Sequence, residues 1–383
     1  MSAPDQGRLV ALLEHLVGFD TQNPPGQEAA AAAMLADMLR GFGMDAQARP
    51  VAPGRANAVA VLRNGPGPVV AFNSHIDTVP VGDGWSGDPL RLAERGGRLH
   101  GRGACDAKGS IAAMVEACRL LAAARADWSG TLVAAFVADE EINSIGAKAV
   151  AAGFPAFDAV IVGEPTDNEV LSAHRGCVRP LIRVRGTTAH SSRPDLGVNA
   201  INGAARLLGA IEAHDRDLGL RSHPLVGRAC VTATRIEGGF ADNIVPDRCD
   251  LVLDRRLLPG EDPQAALAEL RALLERARDS HDVIADLVEV RVSAAGCETP
   301  PTAPVVRAAL AAASRRGRSP VAGGLTGGCD LVHFSAVGSP GIILGPGSLD
   351  IAHKPDEYVL TTALVEASLI YRDIMLGLCA GVG

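Results

Sequence analysis

Four short, uninterrupted apolar runs constrain the fold of this 383-residue chain more than any other feature of its sequence. They occupy residues 69–72, 132–138, 159–162 and 341–344. A continuous apolar run of this length indicates a strand covered on both faces, because a half-exposed strand would alternate apolar and polar residues. A helical pattern at 110–124 separates the first two runs. Strands that alternate with helices predict an open α/β domain, in which helices flank a mostly parallel sheet.

The middle of the chain has a different pattern, in which strands partly alternate apolar and polar residues. Predicted elements follow in the order 178–185 (strand), 197–214 (helix), 229–236 (strand), 250–257 (strand), 263–277 (helix) and 287–292 (strand). This is the order of a small ferredoxin-like α+β unit. A chain of this length also suits two domains. We therefore predict one domain from 1–177 with 295–383, and a second domain inserted at 178–294.

Acidic and imidazole side chains follow each of the four buried strands. In chain order they are His75 and Asp77, then Asp139, Glu140 and Glu141, then Glu164, and finally His353. A further carboxylate, Asp106, lies in the glycine-rich loop 101–109 before the predicted helix. Because ligands of open α/β sheets bind beyond the carboxyl ends of the strands, we expect these groups to meet at one edge of the sheet.

Such a gathering of carboxylates requires positive charge. Two like charges about 4 Å apart repel by about 4 kcal/mol at an effective dielectric constant of about 20. A pair of divalent cations would remove this repulsion, and ligands that combine imidazole with carboxylate suit zinc, or less specifically cobalt and manganese. Two neighbouring cations share a ligand, and a carboxylate can bridge them where an imidazole cannot. The sequence therefore predicts two divalent ions, with Zn²⁺ as the expected metal and one aspartate between them.

The segments that carry this chemistry resemble, in order, the motifs of the M20 metallopeptidase family. They are 75–77, 101–109, 139–141, 163–165 and 352–357, and they span most of the chain. Within that family the acetylornithine deacetylase and succinyl-diaminopimelate desuccinylase branches are the most similar, and the residues around His190 and His353 resemble the deacetylase branch. The resemblance implies a zinc-exopeptidase-like catalytic domain, with the inserted ferredoxin-like domain acting as a lid and a dimer interface.

The resemblance also implies a ligand for each metal position. Asp106 would bridge the two ions. His75 and Glu164 would complete one site, and Glu141 and His353 would complete the other. The peptide bond after Asp106 would be cis, as it is in the family.

Catalytic and substrate-binding roles follow from the same resemblance. Glu140 would be the general base, and Asp77 would orient the imidazole of a metal ligand. His190, reaching the site from the second subunit of a homodimer, would stabilise the oxyanion. Asn243 would lie near the substrate, and Arg256 would bind its α-carboxylate through two parallel hydrogen bonds.

Some of these residues also have simpler interpretations. His190 and Asn243 could cap turns, and Arg256 could pair with an aspartate on its own strand. The glycine-rich segment 323–328 could form a phosphate nest, but we expect its backbone to approach the substrate, with Thr326 as a contact.

Together these features predict an enzyme that hydrolyses the amide bond of a small N-acyl amino acid, with a metal-bridged hydroxide as the nucleophile. A succinyl-diaminopimelate desuccinylase and a carboxypeptidase or dipeptidase with the same metal centre stay open as alternatives. A non-catalytic binding protein of the same fold is disfavoured, because Glu140 and the five predicted ligands are present. A serine hydrolase is disfavoured too, since no Gly-x-Ser-x-Gly motif follows a strand.

Charge and hydropathy exclude several other classes of protein. The formal net charge is −8, and the basic residues form no run, so a nucleic-acid partner is not expected. Residues 1–27 do not resemble a signal peptide, and no apolar stretch reaches the roughly 18 residues of a membrane span. The eight cysteines form no Cys-x-x-Cys pair, which argues against a zinc finger. We therefore expect a cytoplasmic protein that does not bind membranes.

Overall fold

The computed structural model describes residues 3–281 and 283–380 of the chain. The helices of these residues are α1 (Gln6–Gly18), α2 (Ala29–Gly41), α3 (Lys108–Ala123), α4 (Ile145–Gly153), α5 (Ala200–Leu218), α6 (Pro263–His281), α7 (Pro304–Ser314), α8 (Leu331–Ser335) and α9 (Thr361–Cys379). The strands before residue 190 are β1 (Asp45–Ala52), β2 (Arg55–Asn64), β3 (Val69–His75), β4 (Ala93–Arg95), β5 (Arg98–His100), β6 (Gly130–Val137), β7 (Ala159–Val162), β8 (Leu171–His174), β9 (Gly176–Arg185) and β10 (Ala189–His190). The later strands are β11 (Ser222–His223), β12 (Gly227–Arg228), β13 (Cys230–Gly238), β14 (Ile244–Val245), β15 (Arg248–Leu257), β16 (Ile284–Ala294), β17 (Cys297–Glu298), β18 (Gly323–Leu325), β19 (Gly341–Ile343) and β20 (Tyr358–Leu360).

The chain forms two compact units. The first consists of Met1–Ser172, Thr299–Gly323 and Cys329–Gly383, and the second of Ala173–Glu298 and Gly324–Gly328. The second unit contains the range 178–294 that the sequence assigned to an inserted domain. It also takes in 173–177, 295–298 and 324–328, which the sequence assigned to the other domain. The predicted ranges further include residues 1, 2, 282 and 381–383, which lie outside the described residues.

The first unit is built on a sheet whose strands lie in the order β1-β2-β6-β3-β7-β19-β8. The central neighbours β6, β3, β7 and β19 are parallel, whereas β1, β2 and β8 are paired antiparallel at the two sides. These central strands correspond to the four apolar runs, so the predicted mostly parallel α/β sheet is confirmed. Helices such as α3 and α9 cover it: the ring of Phe72 on β3 lies 5.7 Å from that of Tyr371 on α9.

The strand register sets the position of the polar loops. His75, the last residue of β3, pairs with Val137, the last residue of β6, while Asn73 pairs with Val162 at the end of β7. Because these strands are parallel, the residues that follow them leave the sheet at one edge. The loops after β3, β6 and β7 therefore lie side by side.

The second unit contains an antiparallel sheet in the order β13-β15-β9-β16. With α5 and α6 packed against it, this is the predicted strand–helix–strand–strand–helix–strand arrangement. Burial alternates along β15, with Leu251 and Leu253 fully buried in the core. The half-buried positions that alternate with the buried ones on this strand include Asp250 and Asp254.

Among the residues that the structure describes, we find no helix with the length and apolar character that crossing a bilayer requires.

Candidate metal centre

Asp106 lies at the centre of a cluster of imidazole and carboxylate groups in the first unit. Its Oδ1 atom is 3.1 Å from Nε2 of His75, and its Oδ2 atom is 3.2 Å from Nε2 of His353. Each oxygen of one carboxylate therefore faces a different imidazole. The peptide bond between Asp106 and Ala107 is cis, as the resemblance implied. A carboxylate with one imidazole at each of its two oxygens is the arrangement expected of a ligand that bridges two cations.

Two glutamates extend the cluster on either side of Asp106. Oε2 of Glu164 lies 3.8 Å from Nε2 of His75, and Oε1 of Glu141 lies 3.3 Å from Nε2 of His353. Potential ligand atoms of His75, Asp106 and Glu141 also lie within 4.8 Å of one another. The structure thus brings together all five side chains that the sequence proposed as metal ligands, from five segments far apart in the chain.

The donor set fits divalent cations. Two ligand atoms about 2.0–2.1 Å from a tetrahedral zinc ion lie about 3.3 Å apart, close to the 3.1–3.8 Å separations between imidazole and carboxylate atoms here. Oε1 of Glu164 is buried and has no hydrogen-bond partner among the described residues. A buried carboxylate oxygen without a donor is costly, and a bound cation would satisfy it.

The electrostatics of the cluster lead to the same conclusion. Hydrogen bonds with Asp106 and Glu141 raise the pKa of His353 to about 10. Burial raises the pKa of Glu164 to about 7. Burial also opposes ionisation of Asp106, yet hydrogen bonds from the two imidazoles hold its pKa below the usual range. In the protein alone, the negative field therefore holds protons on the imidazoles, and divalent cations would compete with those protons for the same nitrogen atoms.

The carboxylate of Asp77 holds the loop that carries Glu140 and Glu141. Its Oδ1 accepts a hydrogen bond from the Glu140 amide at 3.0 Å, and its Oδ2 accepts one from the Glu141 amide at 3.2 Å. The resemblance implied that this carboxylate orients His75. The structure instead places the backbone carbonyl of Asp77 2.9 Å from Nδ1 of His75, with Oδ1 at 3.8 Å. The carboxylate is turned towards the two amides, so the carbonyl orients the imidazole.

Glu140 itself lies partly buried beside the cluster. Desolvation, reinforced by the charge of Glu164, raises its pKa well above the usual range. Bound cations would act in the opposite direction. A carboxylate whose pKa is set between these two influences suits proton transfer near neutral pH.

Asp330 is a buried carboxylate near this cluster that the sequence analysis did not single out. It is 1% exposed, and its Oδ2 accepts a hydrogen bond from the Asn73 side chain at 3.2 Å. Burial raises its pKa to about 6, and its charge contributes to the raised pKa of Glu140 and Glu164. The one sequence feature that could have pointed to Asp330 is its position directly before the apolar start of α8.

His190 and Asn243 lie in the second unit, where a short ladder brings them together. His190 pairs with Ile244 between β10 and β14, and the Ser191 amide donates to the Asn243 carbonyl at 2.9 Å. Both residues are exposed. Nδ1 of His190 accepts the Ser192 amide at 3.1 Å, so the neutral ring carries its proton on Nε2.

Arg256 and Thr326 also lie in the second unit, apart from this ladder. Arg256 donates from Nε and Nη2 to the two oxygens of Asp254, at 2.6 and 3.2 Å, which is the strand-face pair considered above. Thr326 is exposed in the segment 324–328. The Arg175 amide ties that segment to the second unit by donating to the carbonyls of Leu325 and Gly327.

Several known proteins are similar to this chain in sequence or in fold. The family model described as "Peptidase family M20/M25/M40" matches residues 71–377. The acetylornithine deacetylase of Myxococcus xanthus is 34% identical over 340 residues, which cover 85% of each chain. A Staphylococcus aureus tripeptidase superposes with a TM-score of 0.82 at 23% identity, covering 98% of this chain and 99% of its own. The YXEP protein of Bacillus subtilis, described as a dinuclear metal binding peptidase from the M20 family, superposes with a TM-score of 0.75 at 19% identity, covering 97% of each chain.

Proposed function

Because the chain belongs to peptidase family M20/M25/M40, a family of metallohydrolases, we propose that it hydrolyses the amide bond of an N-acyl amino acid. The observation that carries the proposal is the Asp106 carboxylate set between two imidazoles, with Glu140 beside it. The deacetylase named among its relatives favours an acetyl group as the acyl part of the substrate.

The proposed centre takes two divalent ions, most simply Zn²⁺, with Asp106 as the shared ligand. His75 and Glu164 would hold one ion, and Glu141 and His353 the other. When bound, such ions lower the pKa of a water molecule and polarise a carbonyl group. A dinuclear site in a structural relative of the same family supports this stoichiometry.

The protein's own groups would then move the protons. Glu140 would accept a proton from the attacking water and later deliver it to the leaving amine. Asp77 keeps Glu140 in place through the amide contact described above. His190 would donate Nε2–H to the oxyanion, because its Nδ1 is already an acceptor for Ser192.

Substrate binding is assigned to Arg256, Asn243 and Thr326. An arginine suits the α-carboxylate of an amino acid because its planar fork can donate two parallel hydrogen bonds. In the structure, Nε and Nη2 of Arg256 already donate to Asp254. A substrate carboxylate would therefore have to bind Nη1 or displace the aspartate.

Comparing substrates directly tests this proposal. We expect the zinc-loaded protein to turn over N-acetylornithine or another N-acetyl amino acid at least about tenfold faster, in kcat/KM, than N-succinyl-diaminopimelate or a dipeptide, because a pocket distinguishes acyl groups by about 1–3 kcal/mol. A Glu140→Gln protein purified in parallel controls for a contaminating hydrolase. Faster hydrolysis of dipeptides would reassign the protein as a peptidase, and no hydrolysis of any amide would overturn the proposal.

The contribution of His190 from a second subunit predicts complementation between inactive variants. Mixing His190→Ala and Glu140→Gln subunits under conditions of subunit exchange should restore activity to about a quarter of the unchanged protein's rate. Random pairing makes half of the dimers mixed, and each mixed dimer has one of its two composite sites intact. The rate is measured before and after exchange, with each variant incubated alone as the control. Native mass spectrometry monitors the exchange of subunits. If mixed dimers form but activity does not recover, the site is not shared between subunits.

A further inference from the structure

Asn23 lies between the buried carboxylates of Asp77 and Asp139, which are close in the structure to the proposed base Glu140. Its Nδ2 atom donates to Oδ2 of Asp77 at 2.9 Å and to Oδ1 of Asp139 at 3.0 Å. Asn23 is 3% exposed, and both carboxylates are fully buried. The two protons of one amide therefore serve two negative charges at once. Asn23 lies in the loop after α1, a segment to which the sequence and the proposed chemistry assigned no role.

Both carboxylates control the backbone that presents Glu140. Asp77 accepts the amides of Glu140 and Glu141. Asp139 immediately precedes Glu140 and has a positive φ of 73°, a backbone conformation that needs support in a residue other than glycine. A shift of either carboxylate would therefore move the base.

Arg55 is a second side chain that donates a hydrogen bond to the Asp139 carboxylate. Its Nη1 donates to Oδ1 of Asp139 at 2.8 Å, while Nε and Nη2 donate to the two oxygens of Glu28 at 3.0 and 2.5 Å. Glu28 is fully buried and forms an ion pair with Arg55. Among the described residues, Asn23 is the only side chain that donates a hydrogen bond to the Asp77 carboxylate. The other donors to that carboxylate are the Glu140 and Glu141 amides.

We propose that Asn23 is a positioning residue for the reaction: by donating to Asp77 and Asp139 together, it holds the 139–141 loop so that Glu140 points at the metal centre. The kinetic part of this inference rests on the proposed function, and the structural part does not. A donor suits this place because both of its partners are buried carboxylates, whereas an acceptor here would add to the repulsion between them.

Two substitutions separate donation from simple filling of space. Asn23→Asp keeps the size of the side chain and replaces the donor with an acceptor. Asn23→Ala removes the donor and leaves room for water. If donation matters, the aspartate variant should be the worse of the two, and if shape matters, it should be the better. Asn64→Ala is the matched control, because Asn64 donates only to backbone carbonyls and pairs with Gly130 at the opposite end of β6.

We expect zinc-loaded Asn23→Ala to keep two metal equivalents by mass spectrometry and to lose kcat about 30-fold or more, with KM within about threefold. Asn23→Asp should lose more, and Asn64→Ala should match the unchanged protein. Hydrogen–deuterium exchange at the Glu140 and Glu141 amides should be at least about tenfold faster in Asn23→Ala, because their acceptor is no longer held.

Each remaining result would overturn the positioning role. An aspartate variant at least as active as the alanine variant would leave only a space-filling role. Unchanged amide exchange in Asn23→Ala, or a metal loss that parallels the loss of kcat, would remove the link to Glu140. If Asn23→Asp does not fold, the exchange and metal measurements on Asn23→Ala decide alone. If the unchanged protein hydrolyses no amide, the proposed function fails, and the exchange result still tests the hold of Asn23 on the loop.

Discussion

Glu140→Gln is expected to bind two equivalents of zinc and to lose kcat for an N-acetyl amino acid on the order of 10³-fold, the scale of a lost general base. The substitution keeps the size of the side chain and the backbone contact with Asp77, since that hydrogen bond comes from the amide of residue 140. It removes only the oxygen that can take up a proton. The measurements are kcat and KM at neutral pH and metal content after reconstitution.

The matched control for this variant is Glu14→Gln, on the exposed side of α1. It makes the same chemical change far along the chain from the cluster and should leave kcat unaltered. A Glu140→Gln protein with kcat within about threefold of the original would remove Glu140 from the mechanism. Loss of zinc in that variant would instead make Glu140 a metal ligand.

Asp106→Asn is expected to weaken binding of both metal ions by more than about a hundredfold and to abolish measurable turnover. Loss of a residue that merely orients a ligand already costs about 10–100-fold in metal affinity, and Asp106 contacts both imidazoles directly. The amide keeps one neutral oxygen but cannot place negative charge between two cations. Competition with a zinc chelator measures the affinity, and the chelator-treated original protein provides the metal-free reference.

Asp127→Asn, at an exposed position after α3, is the control for this second variant. It should bind zinc and turn over substrate as the unchanged protein does. Retention of two tightly bound ions in Asp106→Asn would show that Asp106 does not bridge them. Loss of one ion only would assign Asp106 to a single site.

The two variants fail for different reasons. We expect Glu140→Gln to hold both metal ions but to lack the general base, whereas Asp106→Asn should lose the metal ions themselves. Only the second should change metal content, so the pair distinguishes a proton-transfer role from a ligand role.

The central strands were predictable because burial on both faces leaves a local mark, a continuous apolar run. The order of polar residues after those runs then predicts that His75, Glu141 and Glu164 meet at one edge. Both inferences use only neighbouring residues and the general rule that parallel strands end together. The edge strand β1 has no such mark, since most of its residues are exposed, and it was not predicted.

The partners of individual polar atoms were not predictable in this way. The family resemblance implied that Asp77 orients His75, and the structure turns the Asp77 carboxylate towards two backbone amides instead. The segment 324–328 joins the second unit through hydrogen bonds to Arg175, about 150 residues earlier, which no local pattern reveals.

The sequence by itself thus determined which elements form, where the sheet ends and which side chains gather there, because hydrophobic burial and chain direction act over a few residues at a time. Only the tertiary structure decided that Asn23 and Arg55 meet Asp139, and that Asp330 approaches the cluster. A hydrogen bond depends on tenths of an ångström between atoms brought together from distant parts of the chain, and that distance is set by the packing of the whole unit.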